Sequence, residues 1–225
     1  MKPNVIKRIE RVSQELIEKL SQFSSATVYE ANGQKGAMFS YIKPIDENMK
    51  LCGPAVTVLS RAGDNLMIHK AISVAQPGDI LVVNIGDYEE AGAWGEIATV
   101  AAIERGIKGL VIDGGVRDTQ AIKALGFPVF CRSVSIKATT KKLLGYINHP
   151  ITCAGVTVNP GDVILGDADG VVVVKKEDIE EVIKKAEERE RFERRVIEEL
   201  RNGKLTIDLL NLRQVLEREG LTEEE

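Results

Sequence analysis

Apolar positions at the start of the chain follow helical spacing: Ile6, Ile9, Val12, Leu16, Ile17 and Leu20 predict an amphipathic helix over residues 5–20. Ser24 and Ser25 offer an N-cap for a second, short helix that ends near Asn32-Gly33. Farther on, the pattern changes to short apolar runs. Residues 54–59, 80–84, 109–113 and 127–131 read as strands, with helices over 64–75, 96–105 and 118–125 between them. Asp64 caps the first of these helices, and Pro77-Gly78-Asp79 turns the chain into strand 80–84. This alternation predicts right-handed βαβ crossovers around a parallel core.

Beyond Ser133 come short β-rich pieces at 151–158, 162–165 and 170–174, split by Asn159-Pro160-Gly161 and Gly166-Asp167-Ala168-Asp169-Gly170. They predict a mixed or antiparallel segment that completes the sheet. Pro77-Gly78-Asp79-Ile80-Leu81 and Pro160-Gly161-Asp162-Val163-Ile164 echo each other as shared turn chemistry, with no longer period behind them. Residues 175–204 carry ten acids and ten bases, with Glu180/Lys184, Glu181/Lys185, Glu187/Arg191 and Glu190/Arg194 in the favourable i, i+4 order. The apolar line Ile179, Val182, Ile183, Ala186 then gives way to polar residues before Val196, Ile197 and Leu200. Such a helix is either a solvated, charge-stabilised rod or an arm packing on a neighbouring subunit. Thr206 caps a final helix bearing Leu209, Leu210, Val215 and Leu216, and residues 223–225 should fray. The fold class is therefore α/β: a layered sandwich with a parallel βαβ core plus a mixed β segment, and helical N- and C-terminal extensions. Residues 1–225 read as a single domain, with 175–225 as a helical C-terminal arm.

Composition narrows the functions this fold can carry. With 44% hydrophobic but only 4% aromatic residues, the core must be built from Val, Ile, Leu and Ala. A net charge of −4 creates no field that favours nucleic acid. Three widely spaced cysteines, Cys52, Cys131 and Cys153, argue against a disulfide framework and for a reducing, cytoplasmic setting. Two histidines, His69 and His149, do not make a structural zinc site with such cysteines, so a metal here would be hard and oxygen-ligated. Lys2, Lys7 and Arg8 are not followed by an apolar stretch, so neither a signal peptide nor a membrane anchor is expected.

The candidate chemistry lies where two strands end. Gly109-Leu110-Val111-Ile112-Asp113-Gly114-Gly115-Val116-Arg117-Asp118 is an apolar strand, a glycine turn and an adjacent cation and carboxylate at a helix start. Upstream, strand 80–84 leads through Gly86, Gly92 and Gly95 to Glu96, which opens an apolar helix. If both strands are parallel in one sheet, Glu96, Arg117 and Asp118 emerge at the same edge, where ligands of open α/β sheets bind. Read alone, Asp118 is either a first-turn acid stabilised by the helix dipole, worth about 0.3–1 kcal/mol, or a cation ligand. Arg117 weakens the first reading, since a cation at a helix N-terminus is mildly unfavourable and needs a compensating anion, and its fork suits a substrate carboxylate. Glu96 is likewise a helix-start acid or part of a site whose turn amides, Gly95 to Ala98, point at an oxyanion. Gly114 and Gly115 are expected to permit positive φ in the turn; no GxGxxG follows any strand. Trp94 reads as packing, Asp167 and Asp169 as a tight turn, and His69 as either a packed histidine or a pocket residue. A Schiff-base route needs a desolvated lysine. Lys108 falls at the opposite strand edge and Lys123 late in its helix, which leaves Lys137 open.

Trp94-Gly95-Glu96-Ile97-Ala98, followed by Asp113-Gly114-Gly115-Val116-Arg117-Asp118, resembles the 4-hydroxy-4-methyl-2-oxoglutarate aldolase family, which includes the regulator of ribonuclease activity A. The resemblance extends from Ser25-Ala26-Thr27-Val28 through Gly53-Pro54-Ala55-Val56-Thr57-Val58, Gly63-Asp64-Asn65 and Pro77-Gly78-Asp79 to Gly166-Asp167-Ala168-Asp169-Gly170-Val171. It implies a divalent-metal-dependent, class II-type aldolase or decarboxylase that cleaves a 4-hydroxy-2-oxo dicarboxylate to pyruvate, and that decarboxylates oxaloacetate through the same enolate. By the same resemblance Asp118 binds Mg²⁺ or Mn²⁺, Arg117 and Glu96 are catalytic, and Gly95, Glu96, Ile97, Ala98 and Arg117 bind substrate. Family members often carry Asp where this chain has Glu96, which leaves direct or water-mediated metal contact open. The resemblance also implies a homo-oligomer, a trimer or hexamer, with the helix around 190–200 carrying Glu193 toward a neighbour's pocket. The alternative it implies is a non-enzymatic regulator that binds and inhibits a ribonuclease; regulators of that type lack the metal-binding Asp.

Overall fold

A computed structural model describes residues 3–86 and 88–224; Lys2 and Glu225 lie outside them. The chain enters extended rather than helical. Ile6 N–H donates to Ile147 O, Asn148 Nδ2 to Ile6 O, and Arg11 grips the buried Asp79 carboxylate through Nε at 2.7 Å and Nη2 at 2.8 Å. Val5 and Ile9 pack on one apolar cluster and Val12 and Leu16 on another, so the helical spacing here serves a strap that crosses between two faces. The helix begins only where Ser13 accepts from Leu16 N: α1 is Gln14–Leu20. Ser24 caps α2, Ser25–Ala31, as its position predicts.

After β1 (Lys43–Pro44) and β2 (Leu51–Leu59) come α3 (Leu66–Ile72), β3 (Ile80–Asn84), β4 (Gly92–Trp94), α4 (Glu96–Glu104), β5 (Gly109–Val116), α5 (Thr119–Ala124) and β6 (Val129–Val134). β2, β3, β5 and β6 run parallel, joined by the helical crossovers expected from the alternation. β7 (Tyr146–Ile147) pairs antiparallel with β2. The expected strand 151–158 is a hairpin, β8 (Ile151–Cys153) and β9 (Val156–Val158), because Ala154 and Gly155 both take positive φ. β10 (Val163–Asp167) and β11 (Gly170–Val174) then join antiparallel beside β2, so the sheet is mixed. The two Pro-Gly-Asp turns share one device: Asp79 and Asp162 each accept the backbone N–H three residues earlier, from Gln76 and Asn159.

The expected layering takes a curled form. Along the path β1-β6-β5-β3-β2-β10-β11 the two ends approach each other, and Met38 N–H, ahead of β1, donates to Val171 O of β11. Alternate residues therefore face two environments. Ile80, Val82, Val111, Phe130 and Ile164 fill the inside, whereas Leu81, Val83, Leu110 and Ile112 pack outward under α3 and α4. Val163, Leu165, Val172 and Val174 bury the other outer face beneath α1, α2 and the start of α6, Ile179–Arg201. No described residue after Ala186 is buried. Of the four expected α6 ion pairs, Glu181–Lys185 and Glu190–Arg194 form. The final helix is broken, with α7 (Thr206–Leu209) and α8 (Leu212–Arg218) separated by Asn211 at φ 55°.

Candidate functional site

The parallel register of β3 and β5 brings their C-terminal ends to one edge, and the pieces that follow converge there. Trp94 does not face this site: it is buried, donates from Nε1 to Thr99 Oγ1 at 2.7 Å and stacks on Phe127. Its carbonyl accepts the Arg117 backbone N–H at 2.8 Å, which locks the start of α4 to the end of β5. Asp118 follows in the left-handed region at φ 57°, a conformation that Asp tolerates better than most residues. Its carboxylate does not cap its own helix. Oδ2 instead accepts the Glu96 backbone N–H at 3.1 Å and lies 3.7 Å from Arg117 Nε.

The glycines serve close approach rather than the left-handed turn expected of Gly114 and Gly115, which sit inside β5 without positive φ. A Cβ on Gly114 would overlap the Ile85 side chain, and one on Gly115 would lie 2.6 Å from Ala91 O and 2.8 Å from Glu89 O. At Gly95 a Cβ would collide with Asp118 Oδ2, and at Gly92 it would come within 2.9 Å of Arg117 Cβ. Residues 88–91 are further held by Ser133 and Ser135, whose hydroxyls donate to the Glu89 and Glu90 carbonyls. Asp113 braces the strand end: it is buried, accepts from Arg132 Nη1 at 3.2 Å and from Ala154 N–H at 3.0 Å, while Arg132 reaches Glu89 at 2.6 Å. The motif named Asp113 but gave it no part.

Gly95, Ile97, Ala98, Arg117 and Asp118 line one cavity of about 160 Å³. Glu96 lines an adjoining cavity on the far side of Arg117 and Asp118, with an exposed side chain. Since Asp118 takes the Glu96 N–H, the first-turn amides of α4 left for a ligand are those of Ile97 and Ala98. The opposite wall, silent in the sequence apart from His69, is supplied by Asn65, His69, Thr139 and Lys141. These come from α3 and from the loop after β6, a pairing that no local pattern announces. Burial, reinforced by the Lys141 charge, holds the His69 imidazole below its ordinary value, which favours the neutral ring. Lys137, 60% exposed, is salt-bridged to Glu90 at 2.5 Å, a contact that raises its pKa, so it is not the desolvated lysine that a Schiff-base route needs. Glu193 lies on α6, 41% exposed and paired with Arg189 at 2.9 Å.

The donor set decides which metal would fit. Among the described residues no three His, Cys, Asp or Glu side chains gather into a metal cluster. Asp118, with Glu96 beside it, offers one or two carboxylates. That suits a hard ion such as Mg²⁺, which keeps water and completes its shell with substrate oxygens, and does not suit structural zinc. Among the described residues no helix is long and apolar enough to cross a membrane.

Residues 24–173 match the family model described as RraA-like, Aldolase/RraA. A Halalkalibacterium halodurans protein named as a candidate 4-hydroxy-4-methyl-2-oxoglutarate aldolase is 43% identical over 180 residues, 80% of this chain and 83% of that protein. The crystal structure of an uncharacterized protein from Pseudomonas syringae pv. tomato superposes with a TM-score of 0.81 at 26% identity, covering 92% of this chain and 96% of the other. Streptomyces coelicolor RraAS2, described as an unusual member of the RNase ES inhibitor RraA protein family, superposes at 0.73 with 27% identity, covering 83% and 98%. Sequence match and curled mixed sheet agree, and the chain belongs to the RraA-like, Aldolase/RraA family.

Proposed function

We propose that this protein is a divalent-metal-dependent, class II-type aldolase that cleaves a small 4-hydroxy-2-oxo dicarboxylate to pyruvate and decarboxylates oxaloacetate at the same site. The observation that carries this reading is the Asp118 carboxylate held against the N-terminus of α4 with Arg117 beside it. The relative from Halalkalibacterium halodurans, named for the same chemistry, supports the substrate class.

In this reading Asp118, with Glu96 close by, would hold Mg²⁺ or Mn²⁺, and the ion would supply Lewis-acid stabilisation of the developing enolate. Arg117 binds the 1-carboxylate and 2-oxo end of the substrate, and the Ile97 and Ala98 amides add fixed positive potential where negative charge grows. The C3–C4 bond breaks as the C4 hydroxyl loses its proton to solvent held by Glu96. C4 leaves as the carbonyl of one oxo acid. The electron pair stays on C3 and the 2-oxo oxygen until C3 is protonated to give pyruvate. Loss of carbon dioxide from oxaloacetate leaves the same enolate, so one set of groups serves both reactions.

The site rim carries Ile97 at 80% and Ile136 at 90% exposure, while none of the described residues of α6 beyond Ala186, of α7 or of α8 is buried. These features support a homo-oligomer, a trimer or a hexamer of two trimers, in which the arm brings Glu193 to a neighbour's site. The test of the function is pyruvate release from a panel of 4-hydroxy-2-oxo acids with and without Mg²⁺. Metal-dependent release supports the reading, and absence of release across the panel contradicts it.

A further inference from the structure

We infer that Arg132, which lines neither of the cavities beside Arg117, is a positioning residue: it holds the segment before β4 against the end of β5 and so gives the Arg117 side chain its seat. This rests on the oxo-acid reading for what Arg117 binds and goes beyond it by naming how Arg117 is held.

The Arg132 guanidinium is fixed on three sides. Nη1 donates to Asp113 Oδ1 at 3.2 Å, Nε pairs with Glu89 Oε1 at 2.6 Å, and Cζ lies over the Tyr41 ring, 4.5 Å from its centroid. The side chain is only 21% exposed, so little water is left to screen either pair. Asp113 is itself fixed, buried in β5 and bonded to Ala154 N–H at 3.0 Å. One edge of the guanidinium therefore grips a strand of the sheet. The other edge grips a half-exposed carboxylate on the connection between β3 and β4.

From Glu89 the constraint reaches Arg117 through the backbone. A Cβ on Gly115 would come within 2.8 Å of the Glu89 carbonyl and 2.6 Å of the Ala91 carbonyl, and Gly92 pairs with Gly115 in the β4–β5 register. Residues 89–92 thus lie flat on the end of β5. The Arg117 stem rests in turn on Gly92, where a Cβ would lie 2.9 Å from Arg117 Cβ and 3.1 Å from its Cδ. Moving residues 89–92 moves the floor under Arg117. Asp118 is held elsewhere: its carboxylate takes the Glu96 N–H beyond Trp94, whose own ring is anchored by Thr99 and Phe127. Release of Glu89 should therefore disturb the arginine and spare the carboxylate.

The test uses two variants of the full chain. Glu89→Ala cuts the link at its half-exposed end and leaves Arg132 on Asp113, whereas Arg132→Lys keeps the charge but lacks the fork that holds both carboxylates at once. In oxaloacetate decarboxylation, both should raise KM at least about fivefold with kcat within about twofold of wild type, and leave the Mg²⁺ half-saturation unchanged. In an Arg117→Lys background, Glu89→Ala should cost less than about twofold in kcat/KM, because the group it positions is already gone. Amide hydrogen exchange reads the same release without substrate: Gly92 and Arg117 should exchange at least about tenfold faster in both variants, and Glu96 should not. An unchanged KM in both variants, a fall in kcat alone, a full cost in the Arg117→Lys background, or a Mg²⁺ half-saturation that shifts with KM overturns the positioning. So does unaltered exchange at Gly92 and Arg117. If wild type shows no turnover, the oxo-acid reading fails and the exchange measurement decides the positioning by itself. Thermal unfolding checks that the variants are folded.

Discussion

The Asp118 carboxylate accepts the backbone N–H of Glu96, twenty-two residues away, at 3.1 Å, and so ties the end of β5 to the start of α4. The contact is possible because Gly95 has no Cβ to occupy the position of Oδ2. Gly95→Ala should therefore displace Asp118 and lower pyruvate-forming activity at least about tenfold. The Gly95 backbone is extended at φ −158°, so the fold should suffer little. Activity assays paired with thermal unfolding separate the two effects, and an unimpaired alanine variant would show that the approach does not matter.

Arg117→Lys keeps the charge and loses the two-pronged geometry. The expected cost is about 1.4 kcal/mol or more in transition-state binding, a tenfold loss of kcat/KM. A lysine variant with wild-type kcat/KM would assign Arg117 to structure.

Burial pushes the Asp64 carboxyl up, but hydrogen bonds from Thr140, Leu66, Lys142 and Leu143 outweigh it and hold the group below its ordinary value. A carboxylate lowered in the folded state contributes stability that is present above the ordinary value, about 3.9, and is lost as pH falls through the lower folded value. Asp64→Asn should cost about 1–3 kcal/mol at neutral pH. The gap to wild type should narrow at acid pH, below the ordinary carboxylate value, as the native carboxylate is protonated. Denaturant unfolding at both pH values reads this directly, and a gap that does not change with pH would mean that the charge contributes nothing.

If Glu193 completes a neighbour's site, activity depends on assembly. Asp118→Asn and Glu193→Ala chains should each be inactive alone, and mixing them in hybrid oligomers should restore part of the activity. Sedimentation and activity measured at the same dilution supply the counter-test: a fully active monomer rules the arrangement out.

Much of this was legible in the chain because fully buried parallel strands leave continuous apolar runs. Residues 80–84 form a strand with the boundaries that their pattern indicates, and Glu96 opens α4 as expected. Residues 5–13 misled because Val5, Ile9 and Val12 are apolar for contacts with distant elements, with Ile147 pairing some 140 positions later. The glycines after Ile112 were visible, but their purpose was not, since it depends on where Ile85, Ala91 and Glu89 come to lie. One wall of the cavity was readable from a contiguous motif. The facing wall of Asn65, Thr139 and Lys141 is held by the Asp64 clamp and by backbone bonds of Thr140 to Gly63 and Asn65, long-range contacts with no local signature.

The central claim is that Asp118 makes the reaction metal-dependent. Pyruvate release from 4-hydroxy-4-methyl-2-oxoglutarate should be followed across a Mg²⁺ titration for wild type and Asp118→Asn. Asparagine tolerates the left-handed backbone of this position, so the variant should fold normally. The account predicts saturable, chelator-sensitive turnover in wild type and a loss of at least about a hundredfold in the variant at every Mg²⁺ concentration. Wild-type turnover that survives exhaustive chelation, or an Asp118→Asn protein that still responds to Mg²⁺ as wild type does, would contradict it.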